Sequence, residues 1–354
     1  MDDYAFYNCE NISGTINIPA AVYHIGGYVF WGTKQVSAYS VNSANAYFVA
    51  ENGVLFNKIK TQLVACPGQK TGSYTIPESV TQLWPGVFNN CTRFSGYIDI
   101  PASLSIIGDY SFYNCSSIDG FTVNLSNKEY SAIDGILFNK AQDSLYICPL
   151  TKSGKYTVPS SVNYIGYSAF DGCSQLTEVI LPATTKNIDD YAFEYCTGLI
   201  RIRLGENISE IGSAAFYNCS NLQRFEIKTT SPPDVDYYTF NSIDNLNCTL
   251  YVPVGCTANY AAKNYWKDFF IEESSFDDTA APIVYTSDVK ISGVKDHIVI
   301  EGIRRGQNIE IYNVPGRLLK KIQAENSLIE LTLPTGTVYI VRAGDTRTKV
   351  LLTK

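Results

Sequence analysis

I-G-Y-S-A-F-D-G-C-S-Q-L (Ile165 to Leu176), I-D-D-Y-A-F-E-Y-C-T-G-L (Ile188 to Leu199) and I-G-S-A-A-F-Y-N-C-S-N-L (Ile211 to Leu222) are one phrase written three times. Phe170, Phe193 and Phe216 stand 23 residues apart. Each is followed at three positions by a cysteine (Cys173, Cys196, Cys219) and at six by a leucine. A fixed period of this size, too short for an independent core, predicts a solenoid in which each unit buries its apolar face against the next.

The phrase runs outward to Phe6, Phe30, Phe88, Phe112 and, more loosely, Phe240, with successive spacings of 24, 58, 24, 58, 23, 23 and 24. Each long spacing holds a second phrase, so the chain also matches itself at an offset of 82: Phe56 with Phe138, Cys66-Pro67 with Cys148-Pro149, Gly72 with Gly154. Within these insertions Tyr47 to Ala50, the turn Glu51-Asn52-Gly53 and Val54 to Phe56 predict a hairpin. An Asn-Gly pair between apolar runs suits a tight turn with positive φ. Ile133 to Phe138 plays the same part in the second copy, and the hairpins are expected to widen the solenoid. In the plain units Thr15-Ile16-Asn17-Ile18 alternates polar and apolar, which predicts a strand with Ile16 and Ile18 inward. Pro19 ends it, having no N–H for the ladder.

After Ile211 the units weaken. Tyr260, Ala261, Tyr265, Trp266 and Phe269 recur at helical spacing, which predicts a helix over 257–270 closing the exposed end of the array. A polar linker is expected over 273–287. Residues 288–354 then carry about seven short alternating strands, including His297 to Ile300, Asn308 to Tyr312 and Val338 to Arg342, with breaks at Gly302, Gly306, Pro315-Gly316 and Gly344. The fold class expected is mainly β: a solenoid over 1–272 built from units of 23–24 residues with two hairpin insertions, then a small antiparallel β-sandwich over 288–354.

Composition bounds the function. The chain has 354 residues, 45% hydrophobic and 17% charged, enough for a sizeable core. Residues 1–276 carry 16 basic against 25 acidic side chains, and 277–354 carry 11 against 9. An acidic array argues against nucleic acid as partner. Tyrosine, at 26, exceeds what a core requires; a rigid ring with a polar tip suits a binding surface. No run of 18 apolar residues is present, and Met1 leads straight into a repeat, so the chain reads as a trimmed piece of a longer protein with its signal segment removed.

The phrase I-G-x-x-A-F-x-x-C-x-x-L, followed by a strand ending in proline, resembles the BspA-type (Treponema pallidum-type) bacterial leucine-rich repeat, as do the D-G-I-L-F-N-K insertions. The likeness covers roughly residues 2–272. The tail, with I-E-I-Y-N-V-P-G-R-L-L-K-K-I and L-P-T-G-T-V-Y-I-V-R-A-G-D, looks like the C-terminal β-sandwich sorting domains of proteins exported by anaerobic bacteria of the Bacteroides group. The resemblance implies a surface or secreted adhesive protein without catalytic residues.

The residues agree with that implication. Two histidines, His24 and His297, give no paired-His metal site, and no nucleophile or phosphate-binding motif is present, so neither enzyme activity, metal nor cofactor is expected. The adjacent carboxylates Asp189-Asp190 and Asp277-Asp278 read as solvated. Cys9, Cys91, Cys115, Cys173, Cys196 and Cys219 share one repeat position and are expected to form a column of buried thiols; Cys248 and Cys256, flanking one strand, have the spacing to pair. The sequons at Asn90, Asn114 and Asn218 arise from the turn after the phenylalanine. Strand alternation places Tyr97, Asp99, Glu178, Arg201, Arg203, Arg224 and Glu226 on the exposed sheet face, and the arginines suit an extracellular protein or anionic glycan. The chain is expected to act as a monomer, with a spacer role for the array as the alternative to binding.

Overall fold

The computed structural model describes residues 1–245, 247–276, 289–303, 306–314, 316–325, 328–343 and 346–352. The repeated phrase forms the corner of a coil. Two of its backbone positions are left-handed, one two residues before the phenylalanine (Tyr28 φ 55°, Tyr110 φ 53°, Tyr191 φ 59°) and one two residues after (Asn90 φ 57°, Asn114 φ 55°, Asn218 φ 56°). Asparagine tolerates that conformation better than most residues, which is why the sequons recur there.

Corners stack through their backbones: Phe170 N–H donates to Ala192 O at 2.7 Å and Phe193 N–H to Ala215 O at 2.7 Å. The rings follow, with centroids 4.7 Å apart for Phe170 and Phe193 and 5.2 Å for Phe193 and Phe216, nearly parallel. The cysteine completes the unit by donating its thiol to the phenylalanine carbonyl of the preceding corner, at 3.1 Å for Cys196 to Phe170 and for Cys219 to Phe193. None of the ten cysteines, Cys248 and Cys256 among them, is in a disulfide. Burial pushes the Cys196 and Cys219 thiols well above their ordinary pKa, so they remain protonated donors.

Between corners the chain lays down strands. Gly154–Thr157, Leu176–Ile180, Arg201–Leu204, Arg224–Ile227, Thr249–Pro253 and Phe270–Ser274 form one parallel sheet. On the opposite side Ser144–Ile147, Tyr164–Ile165, Asn187–Ile188 and Glu210–Ile211 run parallel, headed by the antiparallel hairpin Tyr130–Ile133 and Ile136–Asn139. An equivalent hairpin, Phe48–Glu51 and Val54–Asn57, heads the preceding sheet. Asn52 and Gly53 (φ 49° and 78°) and Asp134 and Gly135 (φ 50° and 79°) both turn with two positive φ angles, the geometry that matches strand twist.

The insertions divide the interior. Leu55 packs into the N-terminal core with Ile18, Val36 and Tyr39, whereas its neighbours Val54 and Phe56 pack into the next core with Phe88 and Phe94. In the second copy Leu137 joins that middle core while Ile136 and Phe138 face the C-terminal one with Phe170 and Phe193. Each inserted strand is buried on both faces and partitions the interior. Entry to each insertion is held by a buried asparagine. Asn127 donates to Pro101 O (2.7 Å) and Leu104 O (2.9 Å) and accepts from Glu129 N–H (2.9 Å) and Tyr130 N–H (2.8 Å); Asn45 repeats the pattern with Pro19, Val22, Tyr47 and Phe48.

The segment expected as one helix over 257–270 instead makes one α-helical turn, Thr257–Ala261, a 3-10 turn, Trp266–Asp268, and the last strand, Phe270–Ser274. The helical spacing of its apolar residues had a different cause: Tyr260, Trp266 and Phe269 converge on Phe225 and Phe240 to cover the open end of the core. Beyond it Lys290–Val294, His297–Glu301 and Leu328–Thr332 form one antiparallel sheet, and Leu318–Gln323, Asn308–Asn313, Val338–Ala343 and Thr346–Leu351 another. They share a core of Ile298, Ile300, Ile309, Ile311 and Val341. Arg342 Nη1 reaches Glu272 Oε1 at 2.6 Å, and the Tyr312 ring meets Phe270 edge-on at 4.8 Å. The expected linker, beyond 276, the pair Asp277-Asp278 and the breaks at Pro315 and Gly344 lie outside the described residues.

Asn127→Ala strips two carbonyls and two N–H groups of their partner, and a loss of about 3 kcal/mol is expected from leaving buried polar groups unpaired. Urea unfolding of this variant beside Asn124→Ala checks it, since Asn124 is exposed and its loss is expected to cost under about 1 kcal/mol.

Candidate binding surface

Parallel register puts identical strand positions in columns. Glu178, Arg201 and Arg224 stand side by side across three strands, and Ile180, Arg203, Glu226 and Tyr251 form the next outward column. Tyr97 and Asp99 lie in a different sheet, on Phe94–Ile100, so the sequence candidates fall into two groups. Tyr97 is exposed, and Asp99 is held by the hydroxyls of Thr75 (2.8 Å) and Thr122.

The arginines turn inward on one carboxylate. Arg203 Nε donates to Glu226 Oε2 at 2.5 Å, Arg201 Nη2 lies 2.7 Å from Glu226 Oε1, and Arg224 Nε donates to the same oxygen. Arg201 also reaches Glu178 at 3.2 Å, which pairs in turn with Lys155 at 3.6 Å. The Arg224 guanidinium lies 3.8 Å from the centre of the Tyr251 ring. Arg203 and Glu226, expected to be exposed, are 6% and 0% exposed. Adjacent columns on the parallel sheet bring opposite charges within bonding distance, and once paired they cover one another. Burial by itself raises the Glu226 carboxyl, but hydrogen bonds from Arg224 and Arg203 and the charge of Arg201 outweigh it and hold the group below the usual carboxylate range.

A second surface is formed on the corner side, where sequence reading named no residue. Positions two before and one after the phenylalanine carry aromatic pairs: Tyr4 and Tyr7, Tyr28 and Trp31, Tyr110 and Tyr113. Repetition of those pairs was the available signal. Rings of Tyr4, Tyr28, Tyr110, Tyr167 and Tyr191 touch in succession at 5.3, 6.4, 5.5 and 5.5 Å. Beside them Tyr7, Trp31 and Tyr113 follow at 6.1 and 5.0 Å, and Tyr195 meets Tyr217 at 5.7 Å. The contacts cross the hairpin insertions because Tyr28 leans to Tyr110 and the Tyr110 hydroxyl bonds that of Tyr167. Gly86 makes the first crossing possible: a Cβ there would lie 3.1 Å from Trp31 and 3.3 Å from Tyr28. Tyr4, Tyr7, Tyr113, Tyr167 and Tyr195 are each 39–55% exposed.

Stacked parallel coils with leucine- and phenylalanine-filled interiors define a leucine-rich-repeat solenoid, carrying an antiparallel domain at its C-terminal end. The family model for the BspA type leucine rich repeat region matches in six copies over residues 57–148 and 141–258, and the chain belongs to that family. Among solved structures it is similar to a leucine-rich repeat protein from Eubacterium ventriosum, at 22% identity and a TM-score of 0.54 over 72% of this chain and 63% of that one. The chain thus spans under two thirds of that relative's length. A leucine rich cell surface protein from Faecalibacterium prausnitzii matches at 20% identity and a TM-score of 0.48, over 77% of this chain and 82% of that one. The pneumococcal vaccine antigen PcpA matches at 14% and 0.41, over 70% and 64%. No curated protein matches. Among the described residues no helix is long and apolar enough to cross a membrane.

Glu226→Gln is expected to lower stability by about 3 kcal/mol, because three guanidiniums lose the charge that compensates their burial. The Glu226 pKa is depressed in the folded chain, so its contribution is present above the unfolded value and disappears as pH falls through the folded one. The difference between wild type and variant in urea midpoint should therefore be full at pH 7 and shrink below about pH 4.

Proposed function

We propose that this chain is a non-catalytic binding protein, displayed on the bacterial surface or secreted, that grips an extracellular protein or glycan along the aromatic corner face of its solenoid. The observation that carries the reading is the double row of rings from Tyr4 to Tyr217. Side chains of two torsions that stack on one another lose little entropy on binding, and they offer apolar faces with hydroxyl edges. The corner takes that left-handed position whatever residue stands there, since Ser168 and Ala214 hold it too, so the tyrosines at Tyr4, Tyr28, Tyr110 and Tyr191 are not required by the backbone. The sheet-face arginines serve cohesion, since their charge is spent on Glu226 and Glu178. The surface character of the BspA-type family supports the location. On the same reading the C-terminal antiparallel domain serves export or attachment.

Binding of the chain to an array of glycans and matrix proteins tests this, with Tyr4, Tyr7 and Tyr217 replaced together by alanine and, separately, Tyr97→Ala. The tyrosine triple variant should lose at least tenfold in apparent affinity, and Tyr97→Ala should bind as wild type. Loss in Tyr97→Ala alone returns the site to the sheet face, and no binding by wild type favours the spacer role.

A further inference from the structure

The 82-residue super-repeat builds the same corner junction twice, and only one of the two is filled. At each, the coil with the hairpin has a shortened corner, Cys66-Pro67 or Cys148-Pro149, without the aromatic phrase, which leaves a gap between the corners on either side. In the first, the Trp84 indole occupies the gap and donates its N–H to Gly26 O at 2.8 Å, while Asn89 Oδ1 accepts from Gly32 N–H at 3.1 Å. The remaining space is about 20 Å³. In the second, the counterpart of Trp84 is Gly166 and that of Asn89 is Asp171. The result is a cavity of about 610 Å³ under the Tyr110–Tyr167 bridge, within the range of small-molecule sites, roughly 300–1,000 Å³.

The wall has a definite chemistry. Tyr110, Tyr113, Tyr146, Tyr164, Tyr167 and Tyr195 are among its rings, Asp109, Glu129 and Asp171 among its side chains, and no described lining residue is basic. Asp171 makes no side-chain hydrogen bond among the described residues. No three described acidic, histidine or cysteine side chains are placed to hold a metal ion. A neutral sugar leaves the negative potential of this wall unanswered; a cation against ring faces beside a carboxylate answers it twice.

We propose that the cavity at the second junction is a binding site for an organic cation, an alkylammonium or guanidinium group, carried by a free amine or by a lysine or arginine side chain of a bound polypeptide. This rests on the corner face being the binding face, since the cavity opens between its rings. Asp171 forms the ion pair, and Tyr113, Tyr167 and Tyr195 supply the ring faces. Burial and the charge of Glu194 push the Asp171 carboxyl up to about 7. The groups that feel it are Glu194, whose own pKa burial raises, the phenols of Tyr110, Tyr113 and Tyr195, and the thiols of Cys173 and Cys196. Cation binding favours the ionised carboxyl and so releases a proton near neutral pH.

Calorimetric titration of the full chain with spermidine, with N-acetyl-Gly-Arg-Gly-amide and with N-acetyllactosamine tests the site. At least one cation should bind, releasing about half a proton per site at pH 7, and more at pH 6, when heats are compared in buffers of different ionisation enthalpy. Its affinity should be about tenfold weaker at pH 6 than at pH 8, because a group titrating near 7 is about one tenth ionised at the former and nine tenths at the latter. Asp171→Asn, which restores the side chain of the filled junction, should weaken binding at pH 8 at least tenfold and abolish the proton release. Spermidine alone binding identifies a free amine as the source, and the peptide alone a polypeptide. No cation binding, equal affinity in Asp171→Asn, or preference for the sugar overturns the proposal. Proton release is read on wild type, so the result survives a variant that fails to fold. Tyr4, Tyr7 and Tyr217, replaced in the array experiment, do not line the cavity, so failure of the face and failure of the site are told apart.

Discussion

Everything in the solenoid follows from the need to bring one corner onto the next at the thickness of a ring. Backbone donors of one corner meet carbonyls of its neighbour at 2.7 Å, the phenylalanines lie about 5 Å apart, and the thiol closes onto the carbonyl beneath it. These three contacts share one rise, the spacing of adjacent strands. Any unit that kept the strand but lost the rise would break the sheets on both sides. The cysteine is therefore not a bridge in waiting but the smallest side chain that fills the space and also donates.

The fold was legible because that constraint is written in spacing. Phe170, Phe193 and Phe216 declare the period, and Asn52-Gly53 and Asp134-Gly135 declare the hairpins, since few other pairs accept two positive φ angles. The closing segment was misread because Tyr260, Trp266 and Phe269 share a target rather than a helix face, and convergence from three directions leaves no period of its own. Burial of Asn45 and Asn127 was equally invisible: each is satisfied by groups more than 20 residues away as well as by its own turn.

The candidate surface was legible in part. Alternation placed Arg201, Arg203 and Arg224 on the outer side of the sheet, but alternation says nothing about what stands in the neighbouring column. Parallel register delivered Glu226 to all three, and an apparent patch became a closed cluster. The tyrosines, counted as surplus in the composition, have meaning only when the coils are stacked, because rings 82 residues apart in the chain then touch. A one-dimensional reading sees the pairs and misses the row.

The partitions carry a mechanical consequence. With Leu55 and Leu137 turned into one core and their neighbours into another, the array is three stiff blocks in series joined by two couplings. A coupling filled by Trp84 transmits load through contacts on every side, whereas a void gives its lining atoms nothing to push against. Under tension applied at the two ends, compliance concentrates at the second coupling, and an occupant seated there acts as a stiffener of the whole rod.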